Sequence, residues 1–64
     1  MNPIEENITK AEMSAELLVQ DLRELHRSFC LDKPTAAERL AEQHALGLLN
    51  QAVALHLKLK GIAP

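Results

Sequence analysis

Three side chains that can bind a metal ion occur near the middle of the sequence. His26 and Cys30 are spaced so that they share one side of a helix, and His44 follows further along the chain. Imidazole nitrogen and thiolate sulfur are ligands that zinc prefers, but structural zinc sites usually have four ligands. The chain has a single cysteine and neither a CxxC pair nor an HExxH motif. The sequence leaves open whether the three side chains converge. The alternative is that both histidines border a contact between helices, and we predict no metal site and no cofactor.

A group of basic residues suggests a second kind of site. Its members are Arg23, Arg27, Lys33 and Arg39. Guanidinium and ammonium groups bind phosphates and carboxylates, so the group is a candidate site for an anion, a nucleotide or an acidic partner. Acidic residues are interspersed with it: Asp21, Glu24, Asp32, Glu38 and Glu42. The alternative is therefore a solvated surface of mixed charge.

The residue types needed for catalysis are not grouped in this sequence. Ser14 and Ser28 stand alone, no glycine-rich phosphate loop is present, and no nucleophile has an evident base beside it. We therefore predict that the protein is not an enzyme.

Composition argues against two classes of partner. The net charge is −2, Trp and Tyr are absent, and Phe29 is the only aromatic residue. Nucleic-acid binding needs a basic face, and single-strand binding also uses stacked aromatic side chains, so we expect no nucleic-acid partner. No apolar run approaches the ~18 residues of a membrane span, and the first residues are acidic where a secretory signal is basic. We expect a cytoplasmic protein that does not enter a membrane.

The element that positions the first half of the chain is a long helix. Asn2 is a favourable N-cap, Pro3 suits the first helical position, and Glu5 and Glu6 favour the positive end of the helix dipole. Apolar residues then recur at alternating steps of four and three: Ile4, Ile8, Ala11, Ala15, Leu18, Leu22, Leu25 and Phe29. This heptad pattern predicts a helix over about 3–31 that packs against a partner along most of its length.

A break and a second helix follow. Pro34 disfavours helical geometry at Lys33, and Thr35 with Glu38 forms the capping-box pattern that begins a helix. The second helix is predicted over about 36–60, with Gly61 as its C-cap. A short link between two helices of similar length predicts an antiparallel hairpin, which makes residues 1–64 a single domain.

The second helix has two apolar stripes, and a hairpin partner covers only one. The first contains Ala41, Ala45, Leu48, Ala52, Leu55 and Leu59, and we expect it to face helix one. The second contains Leu46, Leu49, Val53 and Leu57 on roughly the opposite side. We predict that these four residues form an oligomer interface, so that two hairpins make a homodimeric four-helix bundle.

This layout resembles the Rop type of helical hairpin dimer in length and in the alternation of small and large residues along the seam. The resemblance implies the fold and the dimer, and it carries no functional residue over to this chain. The predicted function is that of a small non-enzymatic interaction protein, such as a regulator, adaptor or inhibitor, which acts as a homodimer on a protein partner. The alternative is a helical bundle that binds or sequesters an anionic small molecule such as a nucleotide.

Overall fold

Two α-helices packed against each other make up the fold. The computed structural model describes residues 2–62, with α1 spanning Pro3–Arg27 and α2 spanning Ala36–Ile62. The helices run antiparallel along a rod of 53 × 14 × 12 Å. The predicted all-α hairpin is confirmed.

The first helix begins as the sequence predicts. The Asn2 side chain accepts a hydrogen bond from the Ile4 backbone N–H at 3.0 Å, and Pro3 takes the first helical position. An N-cap of this kind satisfies a backbone donor that the helix itself leaves unpaired. Glu5 and Glu6 lie in the first turn.

The first helix ends about four residues earlier than predicted. The amides of Phe29 and Cys30 donate to the carbonyls of His26 and Arg27, three residues back, and the Ser28 hydroxyl donates to the Leu25 carbonyl. Bonds over three residues tighten the last turn and stop the helix from continuing. Phe29 is thus outside the helix, although it stays half-buried.

The second helix begins with a complete capping box and runs past its predicted end. The Thr35 N–H donates to Glu38 Oε1 at 3.0 Å, and the Glu38 N–H donates to Thr35 Oγ1 at 3.1 Å. Gly61 was expected to cap the helix, but it has no positive φ and lies inside the last turn. The helix therefore reaches Ile62 rather than about residue 60.

The contact between the helices is narrow. Within residues 2–62, the side chains classed as buried are Val19, Ala45 and Ala52. Half-buried residues border them at steps of four and three, including Ala15, Leu22, Leu49 and Leu59. Alanine at the centre of the contact lets two helices approach closely.

Each helix is rotated about its own axis relative to the orientation that the heptad pattern predicts. Leu18, Leu25, Leu48 and Leu55 were expected between the helices, yet they are 48%, 44%, 51% and 55% exposed. Neighbouring positions take their place in the contact, namely Val19 and His26 on α1 and Leu49 and His56 on α2. A heptad stripe is wider than the contact that one neighbouring helix provides, so part of each stripe stays uncovered.

Candidate interaction surface

The uncovered parts of the two heptad stripes lie on the same side of the hairpin. Leu18, Leu22, Leu48, Ala52 and Leu55 line one open groove of about 270 Å³ between the helices, and Gln51 is the polar residue at its edge. Leu25 follows Leu18 by one heptad and so lies on the same side of α1. We name the four exposed side chains Leu18, Leu25, Leu48 and Leu55 the leucine face.

Of the four residues predicted from the sequence as an oligomer interface, two are half-buried and two are exposed. Leu49 and Val53 are half-buried along the contact with α1, whereas Leu46 and Leu57 are 43% and 61% exposed. We name these four residues of α2 the outer strip. It offers less uncovered apolar surface than the sequence indicated, because half of its members already pack within the hairpin.

Polar residues interrupt the contact between the helices. His26 Nε2 lies 3.7 Å from Glu42 Oε1, and both side chains are partly exposed, at 33% and 42%. On the same helix as His26, Glu12 is half-buried, and its Oε1 atom is enclosed without a hydrogen-bond partner among the described residues.

An internal repeat relates these polar residues to each other. Residues 11–29 align with residues 41–59 at a constant offset of thirty, with identity at six positions. The identical pairs are Ala11 and Ala41, Glu12 and Glu42, Ala15 and Ala45, Leu18 and Leu48, Leu25 and Leu55, and His26 and His56. Both glutamates and both histidines are half-buried, and all four leucines are exposed. The Glu, His and Leu pairs of the repeat therefore agree in exposure as well as in residue type, whereas the alanine pairs agree in type alone.

The repeat gives the hairpin an approximate two-fold symmetry. Glu12 lies about four turns before His26 on α1, and His56 lies about four turns after Glu42 on α2. Glu12 and His56 are the repeat equivalents of Glu42 and His26. Sequence reasoning treated the histidines singly and missed the two glutamates, although the repeated Ala-Glu and Leu-His dipeptides were the signal that identifies them.

The residues considered for a metal site do not come together. His26 and Cys30 line one groove near the turn, with Arg27, Phe29 and Glu42. His44 is exposed on α2 and does not line that groove. In the part of the chain that the structure describes, no group of three or more His, Cys, Asp and Glu side chains is placed to hold a metal ion.

The basic group is also spread out. Arg23 and Arg27 line one shallow groove on the outside of α1, together with Gln20 and Glu24. Lys33 lies in the link and Arg39 in α2, and neither lines that groove. The Glu24 carboxylate beside the two guanidinium groups weakens the attraction of this groove for an anion.

One carboxyl group has a shifted pKa. Hydrogen bonds from Thr35, first from its backbone N–H and then from its side chain, lower the pKa of Glu38 below its ordinary value of 4.5. The capping box is the cause, so this shift reflects the start of α2 rather than a site for chemistry.

Comparison with known proteins gives no relative from which a function can be transferred. No protein-family model matches the sequence, and neither the curated proteins nor the solved structures contain a significant match. For residues 2–62, neither helix has the length and apolar character that crossing a membrane requires.

Proposed function

We propose that this protein is a small interaction protein without enzymatic activity, which acts on a protein partner as a homodimer of helical hairpins. The dimer is a four-helix bundle, and regulator, adaptor and inhibitor are the roles that suit it. The observation that carries the proposal is the incomplete core of the single hairpin.

The described part of the hairpin buries one valine and two alanines and no larger side chain. A chain of this length has a small core at best, and association is one of the usual ways in which such chains are stabilised. Large apolar side chains are instead exposed on both sides of the rod, including Leu48 and Leu57. Exposed apolar surface of this kind marks a site of protein association.

Concentration-dependent unfolding tests the homodimer. Thermal melts followed by circular dichroism at protein concentrations a hundredfold apart should give a higher midpoint at the higher concentration, because association stabilises the folded state by mass action. Sedimentation equilibrium over the same range should report twice the mass of the chain. A monomer with a midpoint independent of concentration would refute the homodimer.

Native mass spectrometry of the protein purified from its source cell tests the partner. The proposal expects the homodimer together with a second polypeptide of defined mass and stoichiometry. A homodimer that carries a small anionic molecule and no second polypeptide would contradict the protein-binding role and favour the sequestering bundle.

A further inference from the structure

We infer that the leucine face is the surface on which a second copy of this chain docks, and that the outer strip stays outside that contact. The inference rests on the proposed homodimer and assigns its interface. The sequence alone predicted the outer strip as the dimer interface. We assign the interface instead to the side of the hairpin on which both helices are apolar.

The solvent-exposed area of the hairpin exceeds that of a compact monomer by about the area that one partner of similar size would cover. A compact monomer of 7.1 kDa exposes roughly 4,100 Å² on the general scaling of surface with mass. This chain exposes 5177 Å². The excess, roughly 1,100 Å², is close to the ~800 Å² that each partner buries in a standard interface. One further hairpin laid against one side therefore covers the surplus.

The leucine face is the side that suits such a contact. It takes two leucines from each helix, and the groove between them is lined by Leu22 and Ala52. The outer strip lies on α2 alone, and the repeat equivalents of Leu46 and Leu57 on α1 are Glu16 and Arg27. A second hairpin on the outer side would bury those two charged residues, whereas on the leucine face it meets leucines on both helices.

The internal repeat is compatible with a second copy of the same chain as the occupant. A self-association interface must be complementary to itself, since the same surface is used by both copies. The repeat displays leucines at equivalent positions on two antiparallel helices, so a second copy meets the same residue type on both helices. The two helices of each copy are also similar in length, with 25 residues in α1 and 27 in α2. Two hairpins can therefore form a four-helix bundle in which no helix extends far beyond the others.

Matched double variants test which face is used. Leu18→Gln with Leu48→Gln removes two leucines of the leucine face, and Leu46→Gln with Leu57→Gln removes two of the outer strip with similar exposure. We expect the first pair to weaken dimerisation by at least about a hundredfold and the second by less than about threefold. The opposite order would overturn the assignment.

Cysteine protection keeps the test valid if the glutamine variants do not fold. In a Cys30→Ser background, Leu48→Cys and Leu46→Cys each place one thiol on α2, on the leucine face or on the outer strip. Maleimide labelling of L48C should slow at least about tenfold as the concentration rises through the dimerisation range, while L46C keeps its rate. Protection of L46C alone would overturn the assigned face and leave the homodimer standing. Unchanged labelling of both, with a monomer in sedimentation, would overturn the homodimer as well.

Discussion

At the scale of single residues, two half-buried carboxylates border the contact between the helices. Glu42 has His26 within 3.7 Å, whereas Glu12 Oε1 is enclosed and has no hydrogen bond among the described residues. A buried acceptor without a partner costs about 1–3 kcal/mol, whereas a partly exposed ion pair contributes little. We therefore expect the two equivalent glutamates to differ in their effect on stability.

Replacing the unpartnered glutamate should stabilise the protein. We expect Glu12→Met to raise the free energy of unfolding by about 1 kcal/mol, because it removes the enclosed oxygen and adds apolar contact along α2. Urea unfolding at one fixed protein concentration measures the change. Glu42→Met is the matched control at the equivalent position, and it should gain less because it also removes the contact with His26. Equal gains for both variants would show that the lone oxygen carries no penalty.

The capping box at the start of α2 makes part of the stability depend on pH. The pKa of Glu38 is lower in the folded chain than its ordinary value of 4.5. The ionised carboxylate therefore stabilises the fold above about pH 4.5, and this contribution is lost as the pH falls through the lower, folded pKa. Glu38→Gln should remove that part of the acid-induced loss.

Thermal melts of the unmodified protein and of Glu38→Gln between pH 7 and pH 3 check this expectation. Thr35→Ala removes the other side chain of the capping box, and it should lower the free energy of unfolding by about 1 kcal/mol at pH 7. Thr9→Ala is the matched control, since the Thr9 hydroxyl bonds to the Glu5 carbonyl within α1 and caps nothing. If T9A and T35A lose the same stability, the capping box does not contribute as proposed.

At the scale of the helices, the close approach of α1 and α2 depends on alanine. Ala45 and Ala52 are each 3% exposed, and the latter lies in the groove beneath the leucine face. A larger side chain there must push the helices apart or adopt a strained rotamer.

Ala52→Leu should therefore destabilise the hairpin by about 1–3 kcal/mol. Chemical denaturation at fixed protein concentration measures the effect. The control is Ala54→Leu, on an exposed position of the same helix, which should change stability by less than about 0.5 kcal/mol. An A52L variant as stable as A54L would mean that the contact has room to spare.

The helices also show where prediction from sequence succeeds and where it does not. The caps at Asn2 and Thr35 are local signals, and both were predicted correctly, as was the hairpin that follows from the break at Pro34. The predicted end of α1 was wrong because the apolar pattern of the sequence continues through Phe29, whereas the helical backbone ends before it. Gly61 was wrong as a cap because glycine is tolerated in a last turn that is exposed to solvent.

The rotation of the helices could not be read from the heptads. A heptad seam marks every residue that is apolar on one side, but a two-helix contact covers only part of that width. Whether Leu18 or Val19 enters the contact depends on a rotation of a few tens of degrees, and the packing across the contact decides it. The correspondence of Glu12 with Glu42 and of His56 with His26 is visible only as a repeat in the sequence.

At the scale of the whole molecule, the hairpin is too extended to be a compact domain. Its radius of gyration is 15.3 Å, compared with about 10.7 Å for a compact chain of 64 residues. Laying a second rod alongside the first increases the thickness without increasing the length. The proposed dimer would therefore be more compact than the single hairpin.

The repeat at an offset of thirty residues has a consequence for the order of the helices in the chain. Because Ala, Glu, Leu and His recur at equivalent positions of α1 and α2, either helix can come first without moving these residues out of the contact or off the leucine face. We therefore expect a circular permutant that begins with α2 to form the same hairpin.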